Sequence, residues 1–209
     1  MPLTGKFAKV KPQTLLEASM SEFVGRRIVN PRIVGWGAAV ALLIAPFVAM
    51  QLHAEGVNWS PGDFIFAGAI FATVGGLLEF AVWKIESRWY RAAVAVALLA
   101  NLLVVWVNLA VGIVGSEHNP ANQLFFLALL IGIAGACIAR FRANGMAWAM
   151  TGSAVSLMIA FALASVAPRD EPFVHQAVEL AGTSVFTALF LASAWLFRKA
   201  AARQSSSSS

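Results

Sequence analysis

Six long apolar segments, separated by short polar ones, make up most of the chain. They cover approximately residues 33–51, 63–84, 91–114, 122–140, 145–167 and 175–197. Each is close to the roughly 20 residues that an α-helix needs to cross the hydrocarbon core of a bilayer. Because the linkers are short, consecutive helices must run antiparallel and pack as neighbours. The pattern predicts an all-α polytopic membrane protein, with six transmembrane helices arranged as three antiparallel hairpins.

The amino-acid composition agrees with a membrane protein. Hydrophobic residues make up 59% of the chain and charged residues only 12%, whereas about 25% of the residues in an ordinary globular chain are charged. The mean hydropathy of +0.75 is too high for a soluble core and shell. The net charge of +5 would suit nucleic acid, but the basic residues flank the apolar segments instead of forming one patch. We therefore expect the lipid bilayer, and not nucleic acid, to be the partner.

The apolar segments divide the chain into three regions. Residues 1–32 form a cytoplasmic segment in which apolar residues recur at helical spacing from Leu16 to Ile28, with charged residues around the rest of the wheel. This spacing favours an amphipathic helix lying on the membrane, and it fits a docking helix for another subunit equally well. Residues 33–198 form the transmembrane domain. Residues 199–209, which end in five serines, form a flexible cytoplasmic tail.

The distribution of basic residues predicts the orientation of the helices. Of the fifteen lysines and arginines, only Arg169 lies in a loop on the side opposite the chain ends. The other fourteen lie in the N-terminal segment, in the links between spans 2 and 3 and between spans 4 and 5, and in the tail. Loops rich in lysine and arginine stay in the cytoplasm. Both termini are therefore predicted to be cytoplasmic.

We call the loops on the side opposite the chain ends the outer loops. A polar capping residue followed by proline is expected to begin the helices that follow them. Ser60 would cap the second span, with Pro61 in its first turn and Asp63 near the positive end of the helix dipole. Asn119 and Pro120 would begin the fourth span in the same way. The stretch Trp106–Gln123, which contains this second cap, concentrates more polar residues between two apolar segments than any other part of the chain.

Stripes of small residues predict close helix packing inside the membrane. Such residues let helix backbones approach each other where lipid provides no hydrophobic drive for association. They recur at spacing four as Gly68, Ala72 and Gly76 in the second span, Ala128, Gly132 and Ala136 in the fourth, and Gly152, Ser156, Ala160 and Ala164 in the fifth. The stripes predict a compact bundle and do not distinguish internal packing from contact with another subunit.

Three intramembrane polar residues are candidates for a functional path. Glu79 lies inside the second span, and Asn101 and Asn108 are seven residues apart on one face of the third. A charge inside a span needs a partner or water. One hypothesis is a polar path for a proton or cation in a small transporter or channel. The alternative is structural: Glu79 pairs with a basic residue such as Arg91 or Arg140, and the two amides bond to neighbouring helices.

The outer surface offers a second group of candidates. His53, His118 and His175 all lie near predicted outer helix ends, and Glu117 and Asn119 flank His118 in its loop. Imidazoles and carboxylates on one surface can hold zinc or copper, and paired histidines can hold haem. Their spacing matches no known metal motif, so a chance grouping of interfacial histidines is the competing interpretation. No cofactor follows from the sequence.

Three sequence segments resemble those of an uncharacterised family of small multi-pass bacterial inner-membrane proteins. They are VNWSPGDFIFAG (57–68), WVNLAVGIVGSEHNPAN (106–122) and ARFRANGMAWAM (139–150). The resemblance covers most of the chain after residue 33. It implies a bacterial inner membrane and about six helices. It implies no activity, so no functional residue is carried over from it.

The sequence contains no motif that would carry a reaction. HExxH, GxSxG, a phosphate-binding glycine loop and CxxC are all absent. We therefore expect a protein that is not an enzyme and that serves as a structural or interaction subunit, packed against other membrane proteins or against itself. A small transporter or channel, and an outer-face metal or haem protein, are the alternatives.

Overall fold

The computed structural model describes residues 31–53, 58–115, 119–166 and 176–206. Within these ranges the chain is helical and contains no strand, and six of its helical segments are long and apolar enough to span a membrane. The elements are α1 (Pro31–Gln51), α2 (Pro61–Lys84), α3 (Arg88–Ala110), a 3-10 helix (Pro120–Phe125) that continues into α4 (Phe126–Ile138), α5 (Ala143–Val166) and α6 (Gln176–Ser206). The predicted amphipathic helix before the first span lies outside the described residues.

Two helix starts have the side-chain caps that the sequence predicts. The backbone N–H of Ser60 donates to Oδ2 of Asp63 over 2.7 Å, and the backbone N–H of Asp63 donates to Oγ of Ser60 over 3.3 Å. This is a reciprocal capping box. At the 3-10 helix, Oδ1 of Asn119 accepts from the N–H of Ala121 over 2.9 Å, and Pro120 occupies the first turn. Both predicted caps are confirmed.

The chain divides into two compact units at the second turn of α2. The first unit, Met1–Ala67, contains α1 and the beginning of α2 among its described residues. None of the residues in the apolar part of α1 is buried. The helix continues through Pro46. The second unit, Gly68–Ser209, contains the remainder of α2 and all later helices. The main hydrophobic core belongs to this second unit.

The core of the second unit is formed by α3, α4, α5 and α6. Helix α5 packs against both α4 and α6, and α6 also packs against α3. Near the start of α3, the ring of Tyr90 meets the ring of Phe197 edge to face at 4.9 Å between centroids. One turn further on, Oγ of Ser193 donates to the carbonyl of Ala93 over 2.8 Å. The beginning of α3 therefore lies beside the last part of α6, so these two helices run antiparallel.

Helices α4 and α5 approach each other closely through small residues. A Cβ atom added to Gly135 would lie only 2.5 Å from Cβ of Ala149, and one added to Gly132 would lie 3.1 Å from Oγ of Ser153. That hydroxyl donates to the carbonyl of Ala128 over 2.7 Å. Small-residue stripes on facing helices permit this spacing. The stripe predicted on the fourth span is thus used inside the molecule.

A tight turn joins α4 to α5. Arg140 and Phe141 both have positive φ angles, of 49° and 58°, in the left-handed region that side chains other than glycine seldom occupy. The N–H of Phe141 donates to the carbonyl of Ala136, and the hydroxyl of Tyr90 donates to the carbonyl of Phe141 over 2.5 Å. These bonds hold the turn against the beginning of α3.

Two helix ends differ from the sequence prediction. Helix α3 ends at Ala110, four residues before the predicted end of its span, because the following backbone turns to bond with Asn122. Helix α6 continues to Ser206, so most of the segment expected to be a flexible tail is helical. Residues 200–202 are alanines, the best helix formers, and Ala200 is fully buried in the core.

Candidate functional site

The side chain of Asn122 is the centre of a buried polar network between α3 and the 3-10 helix. Its Oδ1 accepts from the backbone N–H groups of Ile113 and Val114, each over 2.9 Å. Its Nδ2 donates to the carbonyl of Val114 over 3.2 Å. Asn122 is 4% exposed. One amide thus satisfies three backbone groups of a segment that has left the helix, and in apolar surroundings such groups need partners.

Two further side chains hold the same segment. Asn108, also buried, donates from Nδ2 to the carbonyl of Asn122 over 2.8 Å. From α6, Oε1 of Glu179 accepts from the N–H of Gly115 over 2.8 Å. Gly112 and Gly115 have positive φ angles of 76° and 66°, which glycine adopts without strain. The segment between α3 and the 3-10 helix is therefore tied to both the 3-10 helix and α6.

The chemistry of this network suits a structural role, because its amides bond to backbone groups of the segment that follows α3. The described bonds of Asn108 and Asn122 run to backbone groups. Neither amide is an acid, a base or a nucleophile at neutral pH. The two amides therefore position the segment that follows α3.

The structure gives the two candidate amides, Asn101 and Asn108, separate partners. Asn101 donates from Nδ2 to the carbonyl of Ala97 in its own helix over 2.7 Å, while Asn108 reaches Asn122. Glu79 is half-buried in α2. Arg91, one possible partner for Glu79 from the sequence, donates from Nε to the carbonyl of Ile85. The hydrogen bonds described for the two amides do not join them to each other, and the polar path stays a hypothesis.

The outer-surface candidates lie partly outside the described residues. Glu117, His118 and His175 belong to the undescribed segments. His53 is exposed just beyond α1, with a positive φ angle of 55°. Asn119 acts as the helix cap described above. Among the described residues no three histidine, cysteine, aspartate or glutamate side chains are grouped as a metal site. The metal and haem hypothesis therefore remains a prediction.

A cluster of cations around tryptophan lies where α3 begins and α6 ends. Lys199 Nζ lies 4.9 Å from the centroid of the Trp89 ring, and the guanidinium carbons of Arg203 and Arg88 lie 5.2 and 5.7 Å from it. Lys199 Nζ is also 3.8 Å from the ring centroid of Trp195. We call these five residues the Trp89 cluster. Each such contact stabilises the fold by about 0.5–1 kcal/mol at an exposed site.

Sequence reasoning identified neither Asn122 as the centre of the polar network nor Glu179 as its partner from α6. One signal for Asn122 is its place three residues after the cap Asn119, just inside an apolar segment. The signal for Glu179 is an acid about one turn inside the last span, at the end that adjoins the outer loops. In both cases the partner is a backbone group. Because nearly every residue has the same backbone groups, the sequence does not show which one is the partner.

Comparison with known proteins adds no assignment. No protein-family model, no curated protein and no solved structure matches this chain.

Proposed function

We propose that this chain is a non-catalytic subunit of a membrane assembly, which packs through α2 against another membrane protein or a second copy of itself. The inner membrane of a bacterium is the proposed location. The spans form three hairpins with both termini in the cytoplasm, and residues before the first span form the interfacial helix. The six apolar helices and the placement of the basic residues support this arrangement.

The observation that carries the proposal is the small-residue stripe on α2, which no described residue covers at Gly68 or Gly76. One face of α2 is used inside the second unit, where the ring of Phe71 lies 5.3 Å from that of Trp106. A Cβ atom added to Gly68 or Gly76 would meet no heavy atom of the described chain within 4 Å. Ala72, between these glycines, is exposed. The equivalent stripe on α4 is filled by α5, whereas no described helix fills the stripe on α2 at Gly68 and Gly76.

Large apolar side chains surround this stripe. Ile65, Phe80 and Trp83 are 74%, 57% and 76% exposed. Lipid tails can cover such side chains, but only another helix gains from the close backbone approach that glycine and alanine permit. A helix from a partner protein therefore suits this face better than lipid alone.

Replacing Ala72 with leucine tests the proposal. The larger side chain fills the stripe and should separate the two helices, so the partner should be lost when the protein is purified in a mild detergent. The measurement is the identity and stoichiometry of the chains that co-purify, by mass spectrometry of the intact complex. We expect at least about a tenfold decrease in complex, equivalent to about 1.4 kcal/mol.

Ala162→Leu is the matched control. Ala162 is exposed on α5 and is flanked at four residues' distance by Met158 and Val166, so it belongs to no small-residue stripe. This variant should retain the complex. A wild-type protein that purifies as a single chain in mild detergent would contradict the proposal, as would equal loss of the complex in both variants.

A further inference from the structure

We propose that the Trp89 cluster binds the headgroup phosphate of an anionic phospholipid. The inference rests on the proposed placement of the helices in a membrane, and it goes beyond that placement by assigning a ligand to one end of the second unit. Three cationic groups converge on one indole ring there, from the first turn of α3 and the last turns of α6.

The cluster gathers three positive charges, and the nearest acid in the sequence is Glu86, two residues before Arg88. The chain contains no aspartate or glutamate between residues 87 and 116, and none after Glu179. The contacts described for Lys199 and Arg203 are with indole rings. Like charges held near one ring repel each other, and an anion placed among them removes that repulsion. A phosphate group, with several acceptor oxygens, suits lysine and arginine donors.

The surroundings of the cluster favour a lipid over a soluble anion. The cluster lies at the ends of two apolar helices, where tryptophan and basic residues mark the level of the headgroups. Trp195 and Leu191, one turn apart on α6, are 53% and 47% exposed. They continue from the cations along the apolar side of the helix. A phospholipid suits this combination of cations and apolar surface. Its phosphate would contact the cations, and its acyl chains would contact the apolar side of α6.

Other basic residues at the same end supply a comparison. Arg140 and Arg142 line a shallow cavity of about 500 Å³ at the turn between α4 and α5, together with Asn144. These arginines have no described contact with a tryptophan ring, so the cavity lacks the indole platform of the Trp89 cluster. Removing the same number of charges there tests whether binding belongs to the cluster or to positive charge in general.

The experiment measures lipid binding by native mass spectrometry of the full chain released from detergent. The probes are phosphatidylglycerol and phosphatidylcholine with identical acyl chains, in 0.15 M salt. The variants are Lys199→Gln with Arg203→Gln, and the control Arg140→Gln with Arg142→Gln. Each lysine or arginine near an anionic headgroup contributes about a fivefold change in affinity, so the first pair should lose roughly thirtyfold for phosphatidylglycerol. The control pair should change by less than about threefold, because neither arginine has a described contact with the Trp89 ring.

Each outcome decides the proposal. A wild-type preference for phosphatidylglycerol that disappears in the Lys199/Arg203 pair and survives in the control pair supports it. Equal binding of the two lipids, or equal losses in both pairs, overturns it. Inorganic phosphate at millimolar concentration that displaces the lipid completely, with no dependence on acyl chains, also overturns it in favour of a free-anion site. If the double variant misfolds, Arg203→Gln alone, at an exposed position near the end of α6, should lose about fivefold.

Failure of the lipid site and failure of the membrane function are distinguishable. Extraction of cell membranes with alkaline carbonate shows whether the protein is integral, independently of any lipid preference. Release by carbonate would remove the membrane placement and the lipid inference together. An integral protein that binds both lipids equally would remove only the lipid inference, and the Ala72→Leu experiment would still test the subunit role.

Discussion

At the scale of single residues, Asn122 shows how one side chain ends a helix inside an apolar environment. Three backbone groups after α3 have no helical partner, and the amide of Asn122 bonds to all three. Asn108 then fixes the backbone that carries Asn122. The polar residues between these two apolar segments therefore serve first to shape the turn.

Replacing Asn122 with alanine should destabilise the second unit. The change leaves the buried N–H groups of Ile113 and Val114 without an acceptor, which costs about 2–4 kcal/mol. The thermal midpoint of unfolding in detergent measures the effect. Gln123→Ala is the control, because Gln123 is exposed in the same 3-10 helix and should alter the midpoint little. Equal midpoints for the two variants would show that water replaces the Asn122 bonds.

At the scale of elements, α4 and α5 approach each other closely where small residues face each other. Gly135 faces Ala149, and Gly132 faces Ser153, whose hydroxyl also bonds across the interface. A Cβ atom added to Gly135 would overlap Ala149, and one added to Gly132 would lie in tight contact with Oγ of Ser153. The interface therefore depends on the size of its residues more than on their hydrophobicity.

Gly135→Ala should destabilise the pair of helices by about 1–3 kcal/mol, since its Cβ overlaps that of Ala149. The double variant Gly135→Ala with Ala149→Gly transfers the methyl group from α5 to α4, so it should recover most of the lost stability. Gly182→Ala, where an added Cβ meets nothing within 4 Å among the described residues, serves as the tolerated control. Unfolding midpoints of the three variants provide the comparison. No recovery in the double variant would mean that Ala149 is not the group Gly135 accommodates.

At the scale of the whole molecule, the basic residues lie near the ends of helices that are long and apolar enough to span a membrane. Six helices are long and apolar enough to span the bilayer within the described ranges. The basic residues at the start of α3, at the α4–α5 turn and at the end of α6 lie at the helix ends predicted to face the cytoplasm. Glu179 and the Asn122 network lie at the opposite ends of their helices. The two ends of the second unit thus differ in chemistry.

Cysteine labelling tests the orientation of these ends. Cys137 is replaced by serine, and single cysteines are then introduced by Ser116→Cys and Ser205→Cys. A membrane-impermeant maleimide applied to intact bacterial spheroplasts should label position 116 and leave position 205 unlabelled until the membrane is opened. The reason is that lysine- and arginine-rich ends stay in the cytoplasm. Labelling of position 205 in sealed spheroplasts would contradict the predicted topology.

The sequence by itself determined the number and approximate extent of the apolar helices, because the bilayer requires a length and a polarity that show directly in the order of residues. It also determined the caps at Ser60 and Asn119, since these bonds join residues two or three positions apart. The same local reasoning predicted small-residue packing on the fourth span. Where the partner lies close in the chain, or is lipid, the pattern is sufficient.

Only the tertiary structure decided which residues bond across the chain. Glu179 reaches Gly115 over a separation of 64 residues, and Ser193 reaches Ala93 over 100. The partner in both bonds is a backbone group, which every residue possesses, so no sequence pattern distinguishes it. The same holds for the length of α6: its last turns are helical where Ala200 is buried and Lys199 and Arg203 meet Trp89. The apolar pattern predicts that the span ends before these residues. In the structure the helix continues through them, where it packs against α3.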